Sequence, residues 1–412
     1  MSTPSMPPTP HRSPFNIIVI VAALGYFVDI FDLLLFGIVR TDSLRSFGLT
    51  PDEVKSYGFQ LAELQMAGLL VGGLLWGVVG DRRGRRAVLF GSIILYSLAN
   101  IANGFVTDVE GYSVCRVLAG LGLAGELGAG ITLVSETMHR DQRGWGTTLV
   151  ASFGVLGAVV ASLIGSVFAW RTAYFIGGGL GLLLLFLRVS TYESGMFVGA
   201  KTTAHRGHFH RLFSTRERAI RYLACIGIGL PIWYAIGLFI LFASEFSKAL
   251  GVTPLATNAD AILWAYVGLA AGDLSSGYLS QRLKSRRSAV LIFLVSLVAA
   301  VGAYLLAAGV SQSVFYLLCA LVGFAAGYWA LLVTIASEQF GTNLRATATT
   351  TVPNFARGAA IPVYAAYKAL EPAFGAAGSA AIVGAGCFTL AFASLWVLRE
   401  TFGKELDYVE VD

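Results

Sequence analysis

Charge is scarce in this chain. Only 13% of its 412 residues are Asp, Glu, Lys or Arg, against about 25% in a soluble domain. That shortage excludes a water-soluble globule, and a mean hydropathy of +0.71 agrees. Cysteine is scarce too. Cys115, Cys225, Cys319 and Cys387 are singletons inside apolar runs with no Cys-x-x-Cys pair, so neither a disulfide framework nor a zinc site is indicated. Of the five histidines, His205, His208 and His210 cluster in a basic segment that reads as a solvated face and not as a metal site. A membrane enzyme would need a nucleophile, metal ligands or paired acids at an interface. No His/Cys/Asp cluster of that kind appears, so the sequence argues against an enzyme and calls for no cofactor. No cleavable signal peptide is evident, because the first apolar run is long enough to be a true span.

What the chain has in excess is long apolar sequence, with 56% hydrophobic residues. Runs of about 18 residues or more can each cross roughly 30 Å of hydrocarbon as a helix, and lipid leaves helix as the sensible choice because it cannot satisfy an open strand. Twelve spans are expected, at about 15–39, 58–80, 87–106, 112–137, 146–168, 173–189, 220–247, 260–280, 288–309, 313–339, 347–369 and 377–398. The expected organisation is an all-α membrane protein of two six-helix bundles, 15–189 and 220–398. A polar tail at 1–14, a linker at 190–219 and a tail at 399–412 accompany them, all cytoplasmic. Glycines such as Gly120, Gly122, Gly125, Gly128 and Gly130 lie inside the apolar runs, where small residues let helices approach closely.

While the first loop on one side of such an arrangement is mixed, with Arg40, Asp42, Arg45, Asp52, Glu53 and Lys55, most of the basic residues fall on the other side. Arg82, Arg83, Arg85 and Arg86 share a turn, Arg140 and Arg143 the next turn on that side, and Lys201, Arg206, Arg211, Arg216 and Arg218 the linker. Arg282, Lys284, Arg286, Arg287 and Arg345 follow. The positive-inside rule then places both termini in the cytoplasm of a cell membrane. The net charge of +5 belongs to these loops and points to a bilayer, not to nucleic acid.

The basic turn Gly77-Val78-Val79-Gly80-Asp81-Arg82-Arg83-Gly84-Arg85-Arg86 returns in weaker form 200 residues later, beginning at Gly277. A second landmark repeats with it. Ser135-Glu136 precedes Arg143, and Ser337-Glu338 precedes Arg345, at an offset of 202. Two matching offsets mark two related halves, and duplicated halves with a site between them are a transporter architecture.

On these residues the chain resembles the major facilitator superfamily over essentially its whole length. Gly77-x3-Asp81-Arg82-x-Gly84-Arg85-Arg86, then Arg116-x3-Gly120-x-Gly122, then Glu136 and Arg143 carry the likeness. Their spacing is similar to that of proton-coupled sugar and metabolite symporters, as are Trp170-Arg171 and Glu193-Ser194. The resemblance implies a cytoplasmic gate made of Asp81, Arg82, Arg85, Glu136 and Arg143. In the second half Gln281 replaces the acid, which leaves Glu338 with Arg345 or Arg286.

Six ionisable residues lie within expected spans: Asp29, Asp32, Arg116, Glu126, Asp273 and Arg357. Each costs roughly 2.5–3.5 kcal/mol at a helix centre, so they should pair, protonate or face water. Asp29 and Asp32 lie about 60° apart on one helix face, where two carboxylates in low dielectric compete for one proton. The pair is similar to an Asp-x-x-Asp signature of aromatic-acid and phosphate symporters, although Ile30 replaces a glycine common in the former. The resemblance also matches Asp32 to the proton-coupling acid of sugar symporters, with Arg116 as partner; a fixed ion pair is the alternative. Glu126 either takes the proton or lines the cavity. Asp273 is as well suited to polar packing as to transport. Arg357 is a carboxylate or phosphate clamp, or else pairs with Asp273 or another acid. Asn354, Tyr26, Trp233, Tyr234 and Tyr328 are the other candidate substrate contacts, and Trp264, Tyr266, Trp329 and Tyr364 are aromatics near the expected cavity.

The expected function is secondary transport by alternating access, as proton symport of a small organic anion by a monomer in the lipid bilayer. The fifth span lacks the Gly-Pro element typical of drug antiporters, which lowers efflux. The alternatives are transport of a sugar or other neutral metabolite, and a non-transporting membrane sensor of the same fold.

Overall fold

A computed structural model describes residues 17–126, 128, 130, 140–193, 209–341, 343–404, 408 and 410. The described elements are helical: α1 Ile17–Arg45, α2 Pro51–Asn103, α3 Val109–Leu123, α4 Arg140–Val167, α5 Trp170–Glu193, α6 Arg216–Gly227 and α7 Leu230–Tyr234. A π-helical turn, Ala235–Ile240, joins α7 to α8, Ala243–Ala249. Then come α9 Asn258–Leu283, α10 Arg286–Leu305, α11 Gln312–Ala326, α12 Trp329–Gln339, α13 Arg345–Gly358 and α14 Ala360–Val397.

Two of these helices are double passes. At 1.5 Å per residue, the 53 residues of α2 would reach about 80 Å if straight. The Trp76 ring instead lies against Gly91, so the helix folds back on itself through the basic turn. In α14 the chain reverses at Gly375, whose φ of 67° is open to glycine at no steric cost. With α6, α7, the π turn and α8 taken as one pass, α11 with α12 as another, and α13 with the first arm of α14 as a third, the described helices make twelve passes. Eight described segments are long and apolar enough to span a membrane on length and composition alone, the last of them, Thr347–Val397, covering two passes.

Burial is inverted relative to a soluble protein. Asp29, Asp32, Arg116, Glu126, Arg188, Asp273 and Arg357 are buried, while Val71, Leu98, Leu163, Phe186, Val295, Leu317 and Leu390 are exposed. An apolar exterior around a polar interior is what a lipid solvent requires. Trp264 belongs to the exposed set and faces outward.

The repeat extends to backbone packing. A Cβ on Gly68 or Gly72 would strike the carbonyls of Val117 or Leu121 at 2.4 Å, and one on Gly120 the carbonyl of Gln65 at 2.1 Å. Their counterparts 200 to 203 residues on behave alike: Gly268 and Gly272 meet the carbonyls of Ala320 and Phe324 at 2.1 Å, and Gly323 that of Ala265 at 1.8 Å. Both halves thus lock their second and fourth passes together through a small-xxx-small stripe. Gly323→Val is expected to cost about 3 kcal/mol or more, because backbone rather than a pliable side chain must move. Gly386 has open space to 4 Å around the place a Cβ would take, and it should accept alanine with little change. Thermal unfolding of the detergent-solubilised protein compares the two.

Candidate substrate-binding site

Two broken passes of the second half line the space between the halves. Gly229 and Pro231 interrupt the seventh pass between α6 and α7, and the π turn follows directly. The tenth breaks at Gly327, where a Cβ would collide with Gly272 at 2.5 Å. Tyr328 fastens the two breaks together, its hydroxyl donating to the Ile228 carbonyl at 2.9 Å. Asp273 then accepts from the Ala330 amide at 3.0 Å and so caps α12. Irregular backbone at membrane depth is tolerated where it is buried in protein or lines a cavity. Here it does line one, walled by Tyr26, Ile30, Val155, Ile232, Trp233, Ile236, Tyr266, Leu269, Trp329 and Arg357.

Arg357 is the charged member of that wall. Its Nη2 reaches Asp29 Oδ2 at 3.4 Å across the two halves. Its Cζ lies 5.4 Å from the Trp329 ring centroid and 6.0 Å from that of Trp233, and the two indoles meet edge-on at 6.4 Å. Arg357 Nε and Nη1 have no protein acceptor, and Trp329 Nε1 lies beside the Tyr26 hydroxyl. A buried donor without an acceptor costs about 1–3 kcal/mol. The wall is therefore rich in donors, poor in acceptors and otherwise apolar.

The remaining charges occupy the first half. Asp32 packs where a Cβ on Gly177 would meet its Oδ1 at 2.6 Å, with the Asn100 amide as a polar neighbour. Arg116 is the strongest opposite charge acting on Asp32, but no ion pair joins them among the described residues. Arg116 instead donates to Asn100 Oδ1 at 3.1 Å and stacks over Tyr174 at 4.8 Å. Glu126 is gripped by Arg188, Nη1 to Oε1 at 3.1 Å and Nη2 to Oε2 at 2.9 Å, and accepts from Ser92 at 2.8 Å. Arg188 reaches this place because position 25 of α1 is glycine: a Cβ there would lie 2.0 Å from Nη2.

Of the expected substrate contacts, Tyr26, Trp233 and Arg357 share the pocket wall. Asn354 donates to the Ala124 carbonyl at 2.8 Å and ties the halves together beside the pocket. Tyr234 donates to the Ala380 carbonyl at 2.7 Å, so it and Tyr328 are fixed on main chain within the second half. Arg188 and Arg40 are buried, paired arginines that the sequence pattern does not single out. Arg188 closes an expected span next to the linker, and its signal is an arginine that directly follows the apolar run Leu182–Leu187. Arg40 reads as part of a mixed loop but is buried at the end of α1, 2.6 Å from Glu245.

That end of the molecule is closed by contacts between the halves. Lys55–Glu371 and Lys368–Glu63 pair at 2.6 Å each, and Phe59 stacks on Phe242 at 3.9 Å. At the basic-turn end, Glu338 receives Arg286 at 3.2 Å and Thr401 at 2.7 Å, while Arg345 Nε donates to the Ser337 carbonyl at 2.9 Å. Burial raises the Glu400 carboxyl there, but hydrogen bonds from Ser285 and from the amides of Phe402, Arg286 and Arg287 outweigh it and hold it at about 2. Glu136, and the side chains of Asp81, Arg82, Arg85 and Arg143, lie outside the described residues.

The profile of the Major Facilitator Superfamily matches residues 22–365. The chain belongs to that superfamily. Among its relatives are three bacterial transporters. The niacin transporter NiaP of Acinetobacter baylyi is 26% identical over 367 residues, covering 79% of this chain and 80% of that one. The 3-(3-hydroxy-phenyl)propionate transporter of Escherichia coli K12 is 29% identical over 311 residues, or 70% of this chain and 73% of the other. The sialic acid transporter NanX of the same organism is 24% identical over 391 residues, 92% of each. This facilitator is thus a multi-pass membrane transporter, and its broken seventh and tenth passes are the walls of a pocket between its halves.

Proposed function

We propose that this facilitator imports a small organic monocarboxylate with a flat, largely apolar body, by alternating access coupled to proton entry. The observation that carries the proposal is the pair of unpartnered donors on Arg357, Nε and Nη1, set in a wall of aromatic and aliphatic side chains. Guanidinium N–H groups match a carboxylate in geometry and charge, and the rings of Tyr26, Trp233, Tyr266 and Trp329 suit a planar substrate. The wall offers a polyol few acceptors, which disfavours a sugar. Relatives named for niacin and for 3-(3-hydroxy-phenyl)propionate agree with this chemistry. Asp29 and Asp32 handle the proton, with Arg116 attending Asp32; Glu126 with Arg188 holds the first half together. The basic-turn end faces the cytoplasm of a cell membrane, and Asp81, Arg82, Arg85, Glu136, Arg143, Glu338 and Arg345 form or support the gate on that side.

A monoanion carried with one proton is electrically neutral, so the pH gradient alone drives it, about tenfold per unit. The direct test is ligand-induced thermal stabilisation of the purified protein by benzoate, nicotinate, glucose and inorganic phosphate. Benzoate or nicotinate should stabilise, and proteoliposomes should accumulate the same compound when the outside is acidified. Stabilisation by glucose alone would transfer the site to a neutral substrate.

A further inference from the structure

We infer that Asp29 is the resident counter-anion of Arg357, and that a substrate carboxylate takes over this guanidinium as Asp29 takes up a proton. The inference rests on the pocket being a carboxylate site. It goes further by assigning the coupling to one exchangeable ion pair.

The two fully buried carboxylate–arginine pairs among the described residues are built differently. Glu126 and Arg188 meet through two contacts at 2.9 and 3.1 Å, with Ser92 as a third partner. Asp29 and Arg357 meet through a single contact at 3.4 Å, with Asp29 Oδ1 and Arg357 Nε and Nη1 all unpartnered. The first pair is chelated within one half. The second joins the two halves at the pocket, is fully buried, and is loose enough to be exchanged. Among the described residues, the other ion pairs between the halves, Arg40–Glu245, Lys55–Glu371 and Lys368–Glu63, lie at the far end beyond the pocket.

Charge balance links the two ligands. Asp29 and Arg357 together are neutral, and a substrate carboxylate entering beside them leaves one uncompensated negative charge in a buried site, at a cost of several kcal/mol. The other groups facing Asp29 do not offset it. Glu126 is already matched by Arg188, Asp32 lies three residues along α1, the neutral phenol of Tyr26 adds no charge, and Asp273 is engaged on the Ala330 amide. A proton on Asp29 removes the excess charge. It comes from water on the entry side, and Arg357 Nη2 exchanges the Asp29 oxygen for a substrate oxygen. On the exit side the anion leaves, Asp29 gives the proton to water, and the ion pair re-forms. Linkage makes the coupling reciprocal: the proton tightens anion binding by the factor by which the anion tightens proton binding.

The test uses benzoate on the purified full-length protein, with quenching of tryptophan fluorescence as the readout, between about pH 6 and 8, where benzoate is ionised. The wild type should gain up to tenfold in affinity per unit fall in pH, and an indicator dye should record about one proton taken up per benzoate bound. Asp29→Asn should bind benzoate with no pH dependence, and in proteoliposomes it should keep benzoate counterflow while losing accumulation driven by a pH gradient. Persistence of the slope in Asp29→Asn overturns the exchange. Should that variant fail to fold, benzoate binding by the wild type without proton uptake overturns it equally. A wild type that binds neither benzoate nor nicotinate defeats the carboxylate pocket itself, and the exchange with it.

Discussion

Arg357→Ala should abolish measurable carboxylate binding while leaving the protein folded. Each charge-assisted hydrogen bond from a buried guanidinium is worth about 1.5–3 kcal/mol, so losing two lowers affinity by roughly a hundredfold to ten-thousandfold. The truncation also strips Asp29 of its counter-charge. A buried carboxylate in that position takes a proton in preference to remaining an isolated ion, which limits the damage to stability. Arg357→Lys should fall between, because an ammonium restores the point charge but not the planar fork. Fluorescence titration with benzoate measures the loss. Thermal unfolding without ligand shows whether the fold survives, and Asp29→Asn placed on Arg357→Ala should change that unfolding little and should not restore binding. Unchanged benzoate affinity in Arg357→Ala would mean that the anion is anchored elsewhere, and the neutral-substrate reading would then take precedence.

How far the sequence discloses such a site depends on the kind of interaction. The passes are legible because lipid enforces one rule along the whole chain, and the duplicated halves are legible because basic turns and Ser-Glu landmarks recur at nearly constant offsets. Arg357 and Asp29 stand out individually, since an ionisable residue in an apolar run demands a partner. Which partner each has is a matter of three-dimensional proximity. Arg357 is offered Asp273 by its own half, but Asp273 is taken by the helix that begins at the Gly327 break, and the guanidinium crosses to Asp29 instead. Neither that capping role nor the backbone contact between Gly272 and Gly327 that produces the break has a local signature. Tyr234 and Tyr328 show the same limit: an aromatic in a pocket-lining pass can face either way, and their hydroxyls go to main-chain carbonyls. Arg188 is hidden for a different reason. An arginine at the end of an expected span is normally one that reaches back to the interface, and only the glycine at position 25, far away in sequence, gives it room to turn inward to Glu126.

The other large effect is expected at that pair. Arg188→Ala should destabilise the first half by about 3–5 kcal/mol, because it leaves Glu126 buried without its counter-charge. That is a large share of the total stability of a typical domain, about 5–15 kcal/mol. Glu126→Gln should be nearly as costly: the amide can still accept from Ser92, but the Arg188 charge is left unmatched. The decisive variant is the double replacement Arg188→Met with Glu126→Met, which removes both charges and keeps the volume. Buried ion pairs replaced by apolar groups of similar size are often neutral or more stable, so thermal unfolding of the double variant should return to the wild-type value or above. The same protein separates structure from coupling. Glu126 is held by Arg188 at both oxygens, and a proton on it would leave the buried Arg188 charge unmatched. The double variant should therefore still accumulate substrate under a pH gradient, whereas Asp29→Asn should not. Loss of gradient-driven accumulation in a double variant that remains folded and still exchanges substrate would place Glu126 on the proton's route, and the chelation by Arg188 would then have to open during each cycle.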